Sequence, residues 1–351
     1  MKVRSRAPLR IGLAGGGTDL ESYSNKFGGV VLNATLGMYA YCTIIPTDDN
    51  RIVIHSYDNK NSVDIKSVPE LKFEGDKLIL HRGVYNRIVK DYNNGKPLSF
   101  IMATSNDAPI GSGLGTSSTM LVAILEAFNC WLGLGLSDYD KAKLAYEIER
   151  KDLNLAGGKQ DQYAAVFGGF NMMEFKTDNT VVVNSLRLDR DVINELECSL
   201  LLYYSGQSRK SADVQLALTN NIISNQIEGT KKKETKTIDA MQKLKETAYQ
   251  MKDDILIGNM EGFAESLRRT WEAKKKTSTM VSNKNLDKTI NYAMKNGAEA
   301  VKVSGAGGGG FLMLYCDPMN RQKLINAMEN LPGKIYPVKF SKHGAVSWKN
   351  S

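Results

Sequence analysis

The chain has 351 residues, of which 42% are hydrophobic and 24% are charged. This composition excludes a disordered or fibrous chain. The chain is longer than a domain with a single hydrophobic core usually is, so we expect two domains. No apolar run reaches the roughly 20 residues that cross a bilayer, and residues 1–6 lead into a strand pattern instead of a signal peptide. We therefore expect a cytoplasmic protein with no membrane partner. Four scattered cysteines and three histidines predict neither a disulfide framework nor a zinc site.

The formal net charge of +8 is unevenly distributed along the chain. Residues 1–180 contain 20 basic and 20 acidic residues, whereas residues 181–351 contain 26 and 18. Nucleic acid, a phosphorylated small molecule or a solvated basic surface would each explain such an excess. The chain lacks an obvious basic stripe interleaved with aromatic residues, so nucleic acid is the least favoured partner.

Strands and helices alternate through the first half of the chain. The sequence predicts strands at 6–13, 29–32, 39–45, 51–56, 100–104, 170–175 and 181–183. Apolar residues at helical spacing predict helices over 81–93, 117–132 and 138–152. Because turn-forming residues separate 39–45 from 51–56, we expect these two strands to pair as a β-hairpin.

The composition shifts near residues 187–195, where we place a domain boundary. The predicted domains are therefore residues 1–188 and residues 189–351. In the second domain the sequence predicts strands at 199–204, 300–303, 311–315 and 335–340, mostly helical sequence over 211–296, and a helix over 321–329. The lysine run 231–233 is typical of an exposed linker or helix tip. This mixture of elements predicts an α+β fold.

Three glycine-rich segments, each following a predicted strand, are the strongest functional signal. The second runs from Pro109 directly into a helix, and its members are Pro109, Gly111, Ser112, Gly113, Leu114, Gly115, Thr116, Ser117 and Ser118. Unpaired N–H groups and the positive end of the helix dipole make such a loop a site for phosphate. The spacing matches neither a Walker A loop nor a dinucleotide-binding loop. A tight strand-to-helix turn without a ligand is the structural alternative.

Segments 6–19, 109–118 and 303–311 resemble the three motifs of the GHMP kinases, in the order of that family and across nearly the whole chain. A Gly-x-x-Asp-Gln element at 158–162 lies between the second and third motifs. The resemblance implies a two-domain α+β fold with mixed and antiparallel sheets, and an active site in the interdomain cleft. It also implies ATP and Mg²⁺ as cofactors, with ATP along the second motif. Among subfamilies, residues 15–19 and 157–163 most resemble the heptose 7-phosphate kinases, with the fucose kinases next.

The resemblance assigns roles to particular residues. Asp161 matches the aspartate that serves as general base or orients the accepting hydroxyl, and Arg10 matches an arginine that stabilises charge beside it. Glu149 precedes Asp161 by twelve residues, the family spacing for a magnesium-binding glutamate, and Ser117 matches the hydroxyl ligand. Without the resemblance, Asp161 could simply cap a helix, and Arg10 could pair structurally with any carboxylate. Glu147 points to another helix face and is expected to be solvated.

The expected sugar-binding residues come from the first motif, the third motif and the Gly-x-x-Asp-Gln element: Gly16, Gly17, Thr18, Asp19, Lys159, Gly305, Ala306 and Gly307. A substrate that already carries a phosphate needs a further anion site, and Arg209 and Lys210 are our first candidates. Residues 268, 269 and 274–276 are weaker ones.

The resemblance therefore predicts an ATP-dependent sugar kinase that phosphorylates the C1 hydroxyl of D-glycero-D-manno-heptose 7-phosphate to the 1,7-bisphosphate. One alternative is a kinase for an unphosphorylated sugar such as L-fucose. Another is a catalytically silent sugar sensor on the same scaffold. The expected partners are a sugar phosphate and ATP, and a homodimer is one alternative for the oligomeric state.

Overall fold

The structure is a computed structural model that describes residues 1–72, 75, 77–206, 211–227 and 234–350. Its strands are Lys2–Ala14 (β1), Gly29–Pro46 (β2), Arg51–Ser56 (β3), Asn61–Lys66 (β4), Phe100–Asn106 (β5), Phe170–Phe175 (β6), Val181–Ser185 (β7), Leu200–Tyr204 (β8), Ala300–Val303 (β9), Phe311–Tyr315 (β10), Lys334–Pro337 (β11) and Val346–Asn350 (β12). Its α-helices are Glu21–Phe27 (α1), Ile79–Tyr92 (α2), Thr116–Leu132 (α3), Asp138–Glu147 (α4), Gln160–Phe167 (α5), Arg190–Ser199 (α6), Ser211–Ile227 (α7), Glu234–Leu256 (α8), Met260–Lys275 (α9), Lys284–Lys295 (α10) and Arg321–Met328 (α11). A π-helical turn, Ile148–Asp152, and a 3₁₀ turn, Pro318–Asn320, complete the described elements.

The strands form two sheets, one in each half of the fold. The larger sheet has eight strands in the order β12-β1-β2-β5-β3-β4, with β6 and β7 added beside the first half of β2. Its pairs are antiparallel except for β3 with β5, so the sheet is mixed. The smaller sheet is antiparallel, with the order β11-β8-β10-β9. The α+β prediction is confirmed.

Strand β1 contributes to both hydrophobic cores. Its register against β2 shifts between Pro8 and Arg10, which turns the strand as a β-bulge does. Before the shift, Val3 and Ala7 pack in a core with α2 and α3. After it, Leu9 and Ile11 pack in a second core together with the smaller sheet and α8 and α9. The two halves of the fold are therefore held together by continuous apolar packing along β1.

Helix α3 lies at the centre of the first core. It begins after Gly115 and ends before Gly133, both with positive φ, and it is buried on almost every side. Phe128 and Trp131 of this helix pack edge-on against Phe100 of β5. The predicted helix over 117–132 is confirmed, and its N-terminus is held rigidly at the edge of the cleft described below.

Several features of the fold differ from the sequence predictions. The predicted strands 29–32 and 39–45 form one strand, β2, and α1, α6 and β4 were not predicted. The hairpin between 39–45 and 51–56 is wrong, because β5 lies between β2 and β3 and pairs with both. Strand β12 was not predicted, and it pairs with β1 in the larger sheet. The end of the chain therefore joins the N-terminal half, whereas the predicted division kept residues 189–351 together. None of the helices within the described ranges combines the length and the apolar content needed to cross a membrane.

Candidate active site

The three glycine-rich loops meet at a cleft between the two halves. The second and third loops touch backbone to backbone, with the Phe311 N–H donating to Ser112 O at 2.9 Å. A side chain on Gly113 or Gly305 would lie 2.7 Å from the backbone of the opposite loop, and both residues have positive φ. Glycine is the residue that tolerates both conditions. The loops thus converge because neither carries side chains at the crossing.

A buried ion pair lies at the centre of the cleft. Arg10 of β1 donates from Nε to Oδ1 of Asp161 at 2.7 Å, and its Nη2 is also 2.7 Å from that oxygen. Its Nη1 donates to Gly113 O at 2.8 Å. Asp161 lies in the first turn of α5, 151 residues along the chain from Arg10. Two donors of the fixed guanidinium fork therefore orient the carboxylate, and the third ties Arg10 to the second glycine loop.

The Arg10–Asp161 pair separates two spaces. On one side is an open cleft of about 580 Å³, bordered by the start of α3, by Glu149 and by the third loop. On the other side is a small cavity of about 50 Å³, bordered by Gly16, Gly17 and Asp19. Arg10 and Asp161 line both spaces. A reacting group in either space can therefore contact the same carboxylate.

Glu149 faces the larger cleft from the π-helical turn after α4. Its Oε2 accepts a hydrogen bond from Ser118 Oγ at 2.7 Å and another from the Gln162 side-chain amide. Its Oε1 lies 3.2 Å from Nη1 of Arg150. The Ser117 side chain is exposed and lines the same cleft. Glu149 is thus held in one orientation at the edge of the glycine loop.

Asp19 is fixed at the floor of the small cavity. Its carboxylate accepts hydrogen bonds from the N–H of Gly17 at 3.1 Å, from the N–H of Gln160 at 3.1 Å and from the Gln160 side chain at 2.9 Å. Burial is the main reason that its pKa is raised, and the nearby Asp161 charge raises it further. The backbone of Gly158 packs closely on this carboxylate, where a Cβ would lie 1.9 Å from Oδ2. Asp19 is therefore held in one orientation at the border of the cavity.

A third space adjoins the larger cleft on the side of α2. It has a volume of about 350 Å³ and is bordered by apolar side chains, including Leu78, Ile110, Met120 and Leu155, and by polar ones, including Asp58 and Asn106. Thr116 and Ser117 line both this pocket and the larger cleft. The pocket and the cleft are thus continuous along the N-terminus of α3.

Comparison with known proteins shows where this chain belongs. The family model for the GHMP kinases N terminal domain matches residues 79–169, and the model for GHMP kinases C terminal matches residues 251–334. The chain is 42% identical to a D-glycero-alpha-D-manno-heptose 7-phosphate kinase from Campylobacter jejuni over 99% of both chains. The chain belongs to the GHMP kinase family. It is therefore an ATP-dependent phosphotransferase.

Solved structures agree with this assignment. A crystal structure described as a D-glycero-D-manno-heptose 1-phosphate kinase from Bacteroides thetaiotaomicron is 44% identical, covers 99% of each chain and superposes with a TM-score of 0.83. A Lactococcus lactis galactokinase complexed with galactose is 17% identical, covers 98% of this chain and 95% of its own, and superposes with a TM-score of 0.76. The second likeness concerns the fold alone.

The structure of this GHMP kinase brings most of the predicted site residues to the cleft. Gly111, Gly113, Gly115, Thr116, Ser117 and Ser118 line the larger space, together with Glu149, Gly305 and Ala306. Pro109 is exposed beside the second loop, Ser112 is buried under it, and Leu114 packs in the second core. These last three residues shape the loop from outside the cleft.

Three predicted sugar-binding residues are placed differently from expectation. The Thr18 hydroxyl is fully buried, and it binds Gly15 O and Val30 O at 2.8 Å. Lys159 Nζ donates to Asn179 Oδ1 at 2.8 Å and does not border the cavity. Gly307 packs against the Val281 backbone. Each of these residues contacts other protein groups in the structure.

The predicted phosphate site is only partly visible. Arg209 and Lys210 lie outside the described residues, as does the lysine run 231–233. Among the weaker candidates, Lys274 is buried and borders the small cavity, whereas Lys276 is exposed. Lys302 of β9 also borders the cavity, and sequence reasoning missed it. The sequence signal that could have revealed it is a lysine within the otherwise apolar strand Ala300–Val303.

Proposed function

We propose that this GHMP kinase transfers the γ-phosphoryl group of ATP to the C1 hydroxyl of D-glycero-D-manno-heptose 7-phosphate, giving the 1,7-bisphosphate. The observation that carries the proposal is the position of the Arg10–Asp161 pair between two spaces, one shaped by glycine loops and one by Asp19 and buried lysines. A phosphoryl donor on one side and a sugar hydroxyl on the other would meet at this carboxylate. The heptose phosphate kinases with 42% and 44% identity support the choice of sugar. A cytoplasmic location follows from the use of ATP as donor.

The triphosphate of ATP is placed in the larger cleft. Unpaired backbone N–H groups at the start of α3 and the positive end of its dipole favour phosphate oxygens there. The apolar pocket bordered by Leu78, Ile110, Met120 and Leu155 continues from the cleft and suits a purine base. The nucleotide would then lie along α3 with its γ-phosphate towards Asp161.

The side chains around the cleft fit Mg²⁺. This ion prefers oxygen ligands and usually takes only one or two from protein carboxylates, with phosphate and water oxygens completing an octahedron. Glu149 supplies one carboxylate and Ser117 one hydroxyl at the border of the same cleft. Ser118 and Gln162 both donate hydrogen bonds to Oε2 of Glu149 and so orient the carboxylate. When bound, the ion would neutralise triphosphate charge, and Glu149 and Ser117 would hold it.

Asp161 is proposed to accept the hydrogen bond, and then the proton, of the sugar hydroxyl. Phosphoryl transfer requires little covalent chemistry from the protein, so correct placement of the acceptor matters most. An anomeric hydroxyl is more acidic than an ordinary alcohol, which suits a carboxylate base. Arg10 orients Asp161 with its fixed fork and supplies positive charge where the transferred group passes. Asp19 would bind ring hydroxyls from the opposite wall.

Admission of the sugar requires movement of α7. The cavity of about 50 Å³ is far smaller than a heptose phosphate, since one water alone occupies about 30 Å³ of liquid. Val214, Gln215 and Leu218 of α7 form one wall of the cavity. An outward shift of this helix would enlarge the cavity.

The two heptose relatives differ in the position that their names give to the substrate phosphate, C7 in one and C1 in the other. A substrate panel distinguishes these cases. ADP release is measured with Mg-ATP and heptose 7-phosphate, heptose 1-phosphate, unphosphorylated heptose, L-fucose and galactose, and the product is assigned by ³¹P NMR. We expect turnover of heptose 7-phosphate to a 1,7-bisphosphate at a kcat/KM at least tenfold above every other sugar. Preference for heptose 1-phosphate or for fucose would overturn the proposal.

A further inference from the structure

Two buried lysines face the small cavity from the C-terminal half. Lys274, in the last turn of α9, donates from Nζ to Gly305 O of the third glycine loop. Lys302 of β9 donates from Nζ to Gly12 O at 2.5 Å. Their relative exposures are 7% and 3%. Both border the small cavity and neither borders the larger cleft, so they lie on the sugar side of the Arg10–Asp161 pair.

Neither ammonium group has a carboxylate within ion-pair distance among the residues that the structure describes. Of the carboxylates around the cavity, Asp161 already binds Arg10, and Asp19 accepts three hydrogen bonds from Gly17 and Gln160. The wall of the cavity therefore carries three basic and two acidic side chains, and two of the basic groups bind only backbone carbonyls. Buried ammonium groups without a counter-ion are costly and are kept where they serve a ligand.

Burial weakens the protonation of both lysines in the free enzyme. Burial, assisted by the nearby Arg10 charge and opposed by the Asp19 and Asp161 charges, lowers the pKa of Lys274 to about 8. Burial also lowers the pKa of Lys302 well below its ordinary value, with Lys274 and Arg10 adding to the effect. A bound anion would favour the protonated form of each. The two lysines are thus placed to bind a negatively charged ligand.

We propose that Lys274 and Lys302 together bind the phosphate group that the sugar substrate already carries. The inference rests on the proposed function, because it presumes a phosphorylated sugar in the cavity. Two ammonium groups match the two negative charges of a phosphate monoester, and hydrogen bonds to a charged group are stronger than neutral ones. The lysines would fix the phosphorylated end of the sugar while Asp161 receives the hydroxyl to be phosphorylated. They would act as specificity-determining residues for phosphorylated over unphosphorylated sugars.

The test compares two substrates in three variants. Lys274→Met and Lys302→Met remove each charge while keeping most of the side-chain volume, and Lys276→Met removes an exposed charge next to α9. For each protein, kcat/KM is measured with heptose 7-phosphate and with unphosphorylated heptose, and KM is measured for ATP. We expect each buried substitution to lower kcat/KM for the phosphorylated sugar by about 10- to 100-fold, the loss of one charge-assisted hydrogen bond. The value for unphosphorylated heptose and the KM for ATP should stay within threefold, and Lys276→Met should match the wild type.

The outcomes separate the two proposals. A wild-type enzyme without preference for the phosphorylated heptose would overturn the proposed function itself. A wild-type preference that persists in both buried variants would overturn the lysine subsite and leave the proposed function standing. Equal losses with both sugars would show a general structural or catalytic role, and would also overturn the subsite.

A pH profile of the wild-type enzyme tests the same proposal without a substitution. The anion favours protonated Lys274, so affinity for the phosphorylated sugar should fall as pH rises above about 8, the pKa in the free enzyme. A phosphate monoester is already a dianion there, because its second pKa is about 6. The charged groups facing Lys274 are Arg10, Asp19, Asp161 and Lys302. KM for heptose 7-phosphate should rise through this range while KM for unphosphorylated heptose changes little; parallel profiles would contradict the proposal.

Discussion

Asp161→Asn isolates the charge of the central carboxylate with almost no change of shape. The amide oxygen can still accept a hydrogen bond from Arg10 Nε, which lies 2.7 Å from Oδ1 in the wild type. What is lost is the negative charge and the capacity to take a proton. A positioned general base contributes roughly 10²- to 10⁴-fold to rate, so kcat should fall by about this factor, or about 3–5 kcal/mol of transition-state stabilisation. Arg10, whose side chain is 5% exposed, loses its counter-ion, so we also expect about 1–3 kcal/mol lower stability.

The assay separates chemistry from binding and folding. ADP release gives kcat and KM with heptose 7-phosphate, calorimetry gives the Kd for Mg-ATP, and denaturant unfolding gives stability. Asp152→Asn is a matched control, because Asp152 also binds an arginine with two hydrogen bonds, at 2.6 and 2.9 Å from Arg87, but outside the cleft. A folded Asp161→Asn enzyme with kcat within threefold of the wild type would refute the role of base.

Three further substitutions test other parts of the site. Glu149→Gln should raise the Mg²⁺ concentration needed for half-maximal activity at least tenfold. Glu147→Gln is the control and should leave the Mg²⁺ titration unchanged, since Glu147 pairs with basic side chains of other residues. Equal Mg²⁺ titrations for the two variants would remove Glu149 from the metal site. Gly158→Ala should raise KM for the sugar about tenfold or more and leave KM for ATP unchanged, because the new Cβ would lie 1.9 Å from Oδ2 of Asp19 and displace that carboxylate. Steady-state kinetics with each substrate varied in turn measure the two KM values. An unaltered KM for the sugar would show that the Asp19 carboxylate does not bind it. Arg10→Lys keeps the charge but replaces the planar fork with a single ammonium group, so kcat should fall by at least tenfold in the ADP-release assay. Full activity would show that the fork is dispensable.

The order of elements and the chemistry of the loops could largely be predicted from sequence. Helix α3 was predicted within one residue because its apolar content and its glycine neighbours are local signals. The order of strands within the sheets could not be predicted, because strand pairing depends on which sheet edges are left free by the rest of the fold. The insertion of β5 between β2 and β3 is an example, since nothing in 39–56 indicates it.

The candidate site, too, could be predicted from sequence only in part. Motif resemblance singled out Arg10 and Asp161, and the structure brings them to 2.7 Å, but no periodicity connects residues 151 positions apart. Motif membership also suggested ligand contacts for Thr18 and Lys159, whose side chains in the structure bind other protein groups: two buried backbone carbonyls for Thr18 and the exposed Asn179 side chain for Lys159. Lys302 was missed because a single lysine in a short strand resembles any solvent-facing residue until burial on both faces is known.

Strand β12 links the last residues of the chain to the strand that carries Arg10. Lys2 pairs opposite Asn350, and Arg6 opposite Val346, so the two ends of the described chain are neighbours on the larger sheet. During synthesis the outer edge of β1 is therefore uncovered until β12 has been made, and unpaired strand edges invite association with other chains. The same adjacency means that a short linker can join residue 350 to residue 2 in a circularly permuted variant, with new termini in an exposed loop.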